Sequence, residues 1–112
     1  MKILLLLLAC FALAAFAQTK AGDTANGQRL FEKDGCYQCH GHVGQGGVAG
    51  ARLAQTRLTL TAFTAYVRHP ASGGMPPFRA KVLTDQELAD IYAYIKTFPE
   101  PKPVKDIPLL NQ

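Results

Sequence analysis

A small all-α domain is the fold class that this 112-residue sequence predicts, and three observations predict it. Thr84-Asp85-Gln86-Glu87 is a capping box, and behind it Leu88, Ile91, Tyr92 and Ile95 fall at i, i+3, i+4 and i+7, one face of a helix. Asp23 is placed to cap an earlier helix that runs to about Lys33 and stops at Asp34-Gly35. The stretch around the central cysteine pair lacks the alternating pattern of a strand.

Taken in chain order, the first segment is Met1-Lys2 followed by fourteen uncharged residues from Ile3 to Phe16. A charged start, an apolar run and Ala15-Phe16-Ala17 read as a signal peptide cleaved after Ala17. A membrane span needs about 20 apolar residues, which disfavours an uncleaved anchor. A lipoprotein signal at Cys10 would leave Phe11 to Ala17 as an exposed apolar arm, which disfavours that reading too. Cleavage leaves 95 residues, divided into a domain over 18–98 and a Pro-rich, extended tail over 99–112.

The first helix of that domain holds Gly27, which costs about 1 kcal/mol relative to alanine and implies a close helix approach. Between the two long helices, Thr61 is placed to cap a short one through Arg68, ending before His69-Pro70, with Phe63 and Val67 on one face. The glycines at 41, 44, 46, 47 and 50 read as a compact loop. Leu83 and Leu88 form the hydrophobic staple of the last helix, and Pro99 to Pro103 are extended.

The formal charge is +4, but the basic residues are scattered and interleaved with acids, so most read as a mixed solvated surface and no nucleic-acid stripe is present. A domain this small has a thin core, which calls for a staple or a cofactor.

Cys36-Tyr37-Gln38-Cys39-His40 supplies one. It is C-x-x-C-H, in which two thiols three positions apart add to the vinyl groups of a haem and the following histidine ligates its iron. A disulfide or thioredoxin-like pair needs strands that are missing, and a zinc site needs more ligands than His42 and His69 provide. Cys36 and Cys39 are therefore the expected thioether residues of a single covalent haem c, and His40 an iron ligand. Past the signal segment the chain has one methionine, Met75, set between two glycines and two prolines in Ser72-Gly73-Gly74-Met75-Pro76-Pro77-Phe78. That stiff loop favours Met75 as the second axial ligand over a core filler. The other occupants of that position are His42, too near His40 in sequence to reach around, His69, which its place before Pro70 assigns rather to capping a helix C-terminus, or none.

These residues resemble a small class I cytochrome c over nearly the whole chain past residue 17. The resemblance implies three to five short helices wrapped around one haem, contact of Gly27 and Phe31 with Ile91 and Tyr94 where the terminal helices cross, and Phe63 and Val67 at the haem edge. Family members often carry Gly-Pro-x-Leu where this chain has Gly50-Ala51-Arg52-Leu53. Ala51 keeps the carbonyl that would receive the axial histidine's other nitrogen, but not the fixed φ of proline. Arg52, Arg57, Tyr66 and Arg79 are candidate donors to the haem propionates.

The expected function is a periplasmic one-electron carrier with His/Met ligation, not an enzyme, since no acid, base or nucleophile constellation accompanies the haem. Its expected partners are a redox donor and acceptor that dock at the exposed haem edge near Val48, Pro76 and Phe78; no nucleic acid is expected, and membrane contact only through a membrane-bound partner. Two alternatives stand beside it: an electron-transfer subunit of a dehydrogenase or reductase, to whose docking the apolar tail residues Ile107, Leu109 and Leu110 would contribute, and a gas-binding or sensing protein with an open sixth site.

Overall fold

The computed structural model describes residues 20–71 and 73–111; the signal-peptide segment, its cleavage after Ala17 and Cys10 lie outside the described residues. Among the described residues four helices follow one another, α1 (Thr24–Lys33), α2 (Cys36–His40), α3 (Leu60–Arg68) and α4 (Asp85–Ile95), and no strand occurs. The all-α expectation holds. None of these helices is long and apolar enough to cross a membrane.

Capping side chains set where the helices begin. Asp23 accepts from the N–H groups of Ala25 and Asn26 at 2.9 and 3.1 Å, satisfying donors that the first turn of α1 leaves free. At α4 the Thr84 hydroxyl accepts from the Glu87 N–H at 3.2 Å while the Glu87 carboxylate accepts from the Thr84 N–H at 2.8 Å, closing the capping box. At α3 the cap is Thr59, whose hydroxyl accepts from the Ala62 N–H at 3.2 Å, and not Thr61. Starting two residues earlier lets Leu60 pack on the core, while Thr61 is exposed.

The core lies where α1 crosses α4, with α3 closing one side. Leu30 and Phe31 come from α1, Phe63 and Val67 from α3, Leu88, Ile91 and Ile95 from α4, joined by Ala54, Leu83 and Phe98 from the connections. The Leu83 and Leu88 staple is almost fully buried. Gly27 is the contact point: a Cβ there would run into the Asp90 carbonyl oxygen and sit 2.9 Å from the Tyr94 Cβ, so only glycine permits this approach. Phe31, Tyr94 and Phe98 meet edge to face, with centroids 5.5, 5.5 and 4.9 Å apart, the arrangement their ring quadrupoles favour.

One acid is buried in this crossing. Asp90 accepts from the Asp23 N–H at 2.8 Å, the Asn26 amide at 2.7 Å and the Gln86 amide at 3.1 Å, so α4 holds the N-terminus of α1 through a carboxylate. Burial raises the pKa of that carboxyl, but the three donors together outweigh it and hold Asp90 below its ordinary value.

Past Phe98 the chain is without helix to Pro103, then turns twice as 3₁₀ helix over Val104–Asp106 and Pro108–Leu110. The expected extended tail therefore ends at Pro103. Asn111 folds the turns together, its amide donating to the carbonyls of Val104, Lys105 and Ile107 at 2.9–3.0 Å. Ile107 is half-buried, while Leu109 and Leu110 are exposed.

Candidate functional site

The cysteine motif forms a helix of its own. Gly35 takes a left-handed φ of +74°, which ends α1 and lets the chain re-enter a helical turn at Cys36. Within that turn Cys36, Cys39 and His40 come to one cleft. Cys36 is half-buried and Cys39 exposed, and no disulfide joins them. Burial, with the nearby Asp34 carboxylate adding to it, pushes the Cys36 thiol up to about 11.

The glycine-containing loop then folds back over the histidine. Gly46 N–H donates to the His40 carbonyl at 2.8 Å, and the N–H groups of Leu53 and Ala54 both donate to the Gly44 carbonyl, at 2.8 and 2.9 Å. This brings the Ala51 carbonyl to 2.6 Å from His40 Nδ1. A carbonyl only accepts, so Nδ1 carries the proton and the lone pair of Nε2 is left free to coordinate. The contact expected of proline in the family is thus made by alanine.

Two adjoining chambers, of about 420 and 290 Å³, make up the cleft, and Cys36, His40, Ala51, Tyr66, Met75 and Phe78 line both. Their joint size falls in the range of about 300–1,000 Å³ that cofactor pockets occupy. The inner chamber is walled by core side chains, with Phe63 and Val67 among them, as their shared face implied. A thioether, an imidazole nitrogen and two thiols on a largely apolar cavity form a donor set suited to haem iron and to thioether attachment. The residues present fit that group.

The other histidines are elsewhere. His42 is exposed and stacks on Tyr37 at a centroid distance of 4.5 Å. His69 is the exposed C-cap of α3, with its N–H on the Ala65 carbonyl at 3.0 Å. Neither lines the cleft. Among the four propionate candidates, Tyr66 lines both chambers and Arg52 the inner one. Arg57 lines a separate groove beside Glu100, and Arg79 is exposed and lines neither chamber. Val48 and Pro76 are exposed, and Phe78 is half-buried in the cleft wall.

Sequence reasoning missed Arg68. From the last turn of α3 it donates through Nη1 to the Phe78 carbonyl and through Nη2 to Asp85 Oδ1, each at 2.7 Å. Its acceptors are a backbone oxygen ten residues on and an exposed acid seventeen on, which no periodicity announces.

The family model described as "Cytochrome C oxidase, cbb3-type, subunit III" matches residues 22–95. Over 93 residues the chain is 31% identical to cytochrome c-555 of Methylococcus capsulatus, a similarity that covers 81% of this chain and 75% of that protein. No solved structure matches.

Proposed function

This chain belongs to the cytochrome c family, and from that premise we propose that it is an exported, periplasmic one-electron carrier with His40 and Met75 as axial ligands. Membership gives the coarser part: a covalently bound c-type haem with its iron, and electron transfer as its role. In the finer reading Cys36 and Cys39 form the two thioethers. When bound, the haem supplies an iron centre that exchanges a single electron between its two oxidation states.

The observation that carries the reading is the hydrogen bond from His40 Nδ1 to the Ala51 carbonyl, made in a cleft that Met75 also lines. The bond fixes the imidazole's tautomer and ring plane, and raises its basicity as a ligand. Met75, as a thioether, would raise the potential relative to a second histidine. The inner chamber, lined mostly by apolar side chains, would keep water from the iron, and Tyr66 and Arg52 are the cleft-lining donors proposed for the propionates. Arg57 and Arg79 line neither chamber. Donor and acceptor would dock over the exposed mouth near Val48 and Pro76.

A second reading has one observation of its own. The matching family model describes a subunit of an oxidase, and the exposed Leu109 and Leu110 give this chain an apolar tail for a standing contact. A permanent subunit would stay with its enzyme through a salt wash that releases a carrier held by exposed charges.

The test of the first reading is the visible spectrum of the reduced protein before and after carbon monoxide. An unchanged low-spin spectrum is expected. A prompt adduct would mean an open sixth site and would put gas binding ahead of electron transfer.

A further inference from the structure

We propose that Arg68 is the positioning residue of the Met75 loop, acting through the Phe78 backbone to hold the thioether in the cleft; this rests on the reading of Met75 as a ligand. Among the described residues of 70–78, Phe78 alone hydrogen-bonds the rest of the fold, and it does so with both of its backbone groups. Its N–H donates to the Val67 carbonyl at 3.1 Å, and its carbonyl accepts from Arg68 Nη1 at 2.7 Å. The last turn of α3 therefore fixes one end of the loop.

Pro76 and Pro77 stand between that anchor and Met75. Proline holds φ near −65° and has no N–H of its own to bond elsewhere, so the pair passes the anchor's position on to Met75 with little slack. Among the described residues the other flank offers no such hold: nothing lies within 4 Å of where a Cβ on Gly73 or Gly74 would stand. The loop is thus set from its Phe78 side.

Arg68 suits this task because a guanidinium reaches two acceptors at once in a fixed plane, and its side chain is only 14% exposed. The Asp85 arm is the lesser one. That carboxylate is 73% exposed, and such ion pairs are worth little. The Phe78 arm, a charge-assisted bond from a shielded guanidinium, carries the effect.

The test compares the haem-loaded wild type with Arg68→Met, Arg68→Lys, Asp85→Asn and, as a control, Asn26→Ala, which loosens the α1–α4 crossing at a residue that hydrogen-bonds nothing in the loop. The readouts are the far-red methionine-to-ferric-iron band, the rate of carbon monoxide combination with the reduced protein, and the thermal midpoint. Arg68→Met should speed combination by about tenfold, the worth of one charge-assisted bond, and weaken the band. Arg68→Lys, which keeps the charge and one contact, should fall between, and it serves if Arg68→Met does not fold. Asp85→Asn and Asn26→Ala should leave band and rate unchanged, whatever they do to the midpoint.

If Arg68→Lys and Arg68→Met alter the band and the rate no more than Asn26→Ala does, Arg68 is merely structural and the proposal is overturned. If the wild type lacks the band and binds carbon monoxide at once, the Met75 reading fails first and takes the proposal with it.

Discussion

Where α1 crosses α4, backbone lies against backbone: Gly27 leaves no room for a Cβ, three aromatic rings close the contact, and a buried carboxylate holds the helix start. The loop that carries Met75 is built the other way, with prolines for stiffness, glycines on its open flank and a single hydrogen-bonded residue at its base. The contrast teaches that two tasks are separated in this chain. Stability is concentrated at the helix crossing, while the residue proposed to tune the iron sits in a segment that contributes few hydrogen bonds of its own. Changes at the crossing should therefore move the unfolding midpoint, and changes in the loop should move the spectrum.

The largest effect expected is at Phe31, which is buried to 1% exposure and packs on two other rings. Phe31→Ala should cost about 3–5 kcal/mol, read from thermal or denaturant unfolding, through lost burial and the cavity left behind. Gly27→Ala comes next. The added methyl meets a backbone oxygen that cannot swing aside as a flexible side chain would, so a loss of about 1–3 kcal/mol is expected in the same measurement. A neutral result at Gly27 would mean that the crossing gives way easily, and would blunt the comparison.

Asp90→Asn is smaller and sharper. It removes a charge that accepts three hydrogen bonds and turns one acceptor into a donor facing the Asn26 or Gln86 amide, for a loss of about 1–2 kcal/mol at neutral pH. Because the folded pKa of Asp90 lies below its unfolded value, the unfolded chain takes up the proton first on acidification. The stability contributed by Asp90 is complete above the unfolded value and is lost as pH falls through the folded one. Midpoints of wild type and variant should therefore converge in acid. Glu87, also held low by its bonds from Thr84, adds a weaker loss of the same sign to both proteins.

Much of this was legible in the sequence, for reasons that differ by residue. Caps and stripes are local signals, so Asp23, Thr84 and the face of Leu88, Ile91 and Ile95 announced α1 and α4. Thr59 and Thr61 are the same residue type two positions apart, and only the burial of Leu60 decides between them. The charge pattern read as a solvated surface, and Asp90 departs from it because two of its three donors sit sixty-four and sixty-seven residues away in sequence. Arg68 was hidden for the same reason, since its main acceptor is a carbonyl, which every residue has. The motif residues Cys36, Cys39 and His40 were plain because their spacing is itself the chemistry.

The measurement that tests the separation most directly is the absorption spectrum and unfolding midpoint of Met75→Ala beside wild type. The account predicts covalent haem retained in both, loss of the far-red methionine band and prompt carbon monoxide binding in the variant, and a midpoint shifted far less than by Phe31→Ala. A variant with the wild-type spectrum and a closed sixth site would contradict it, because Met75 would then have no part in holding the iron.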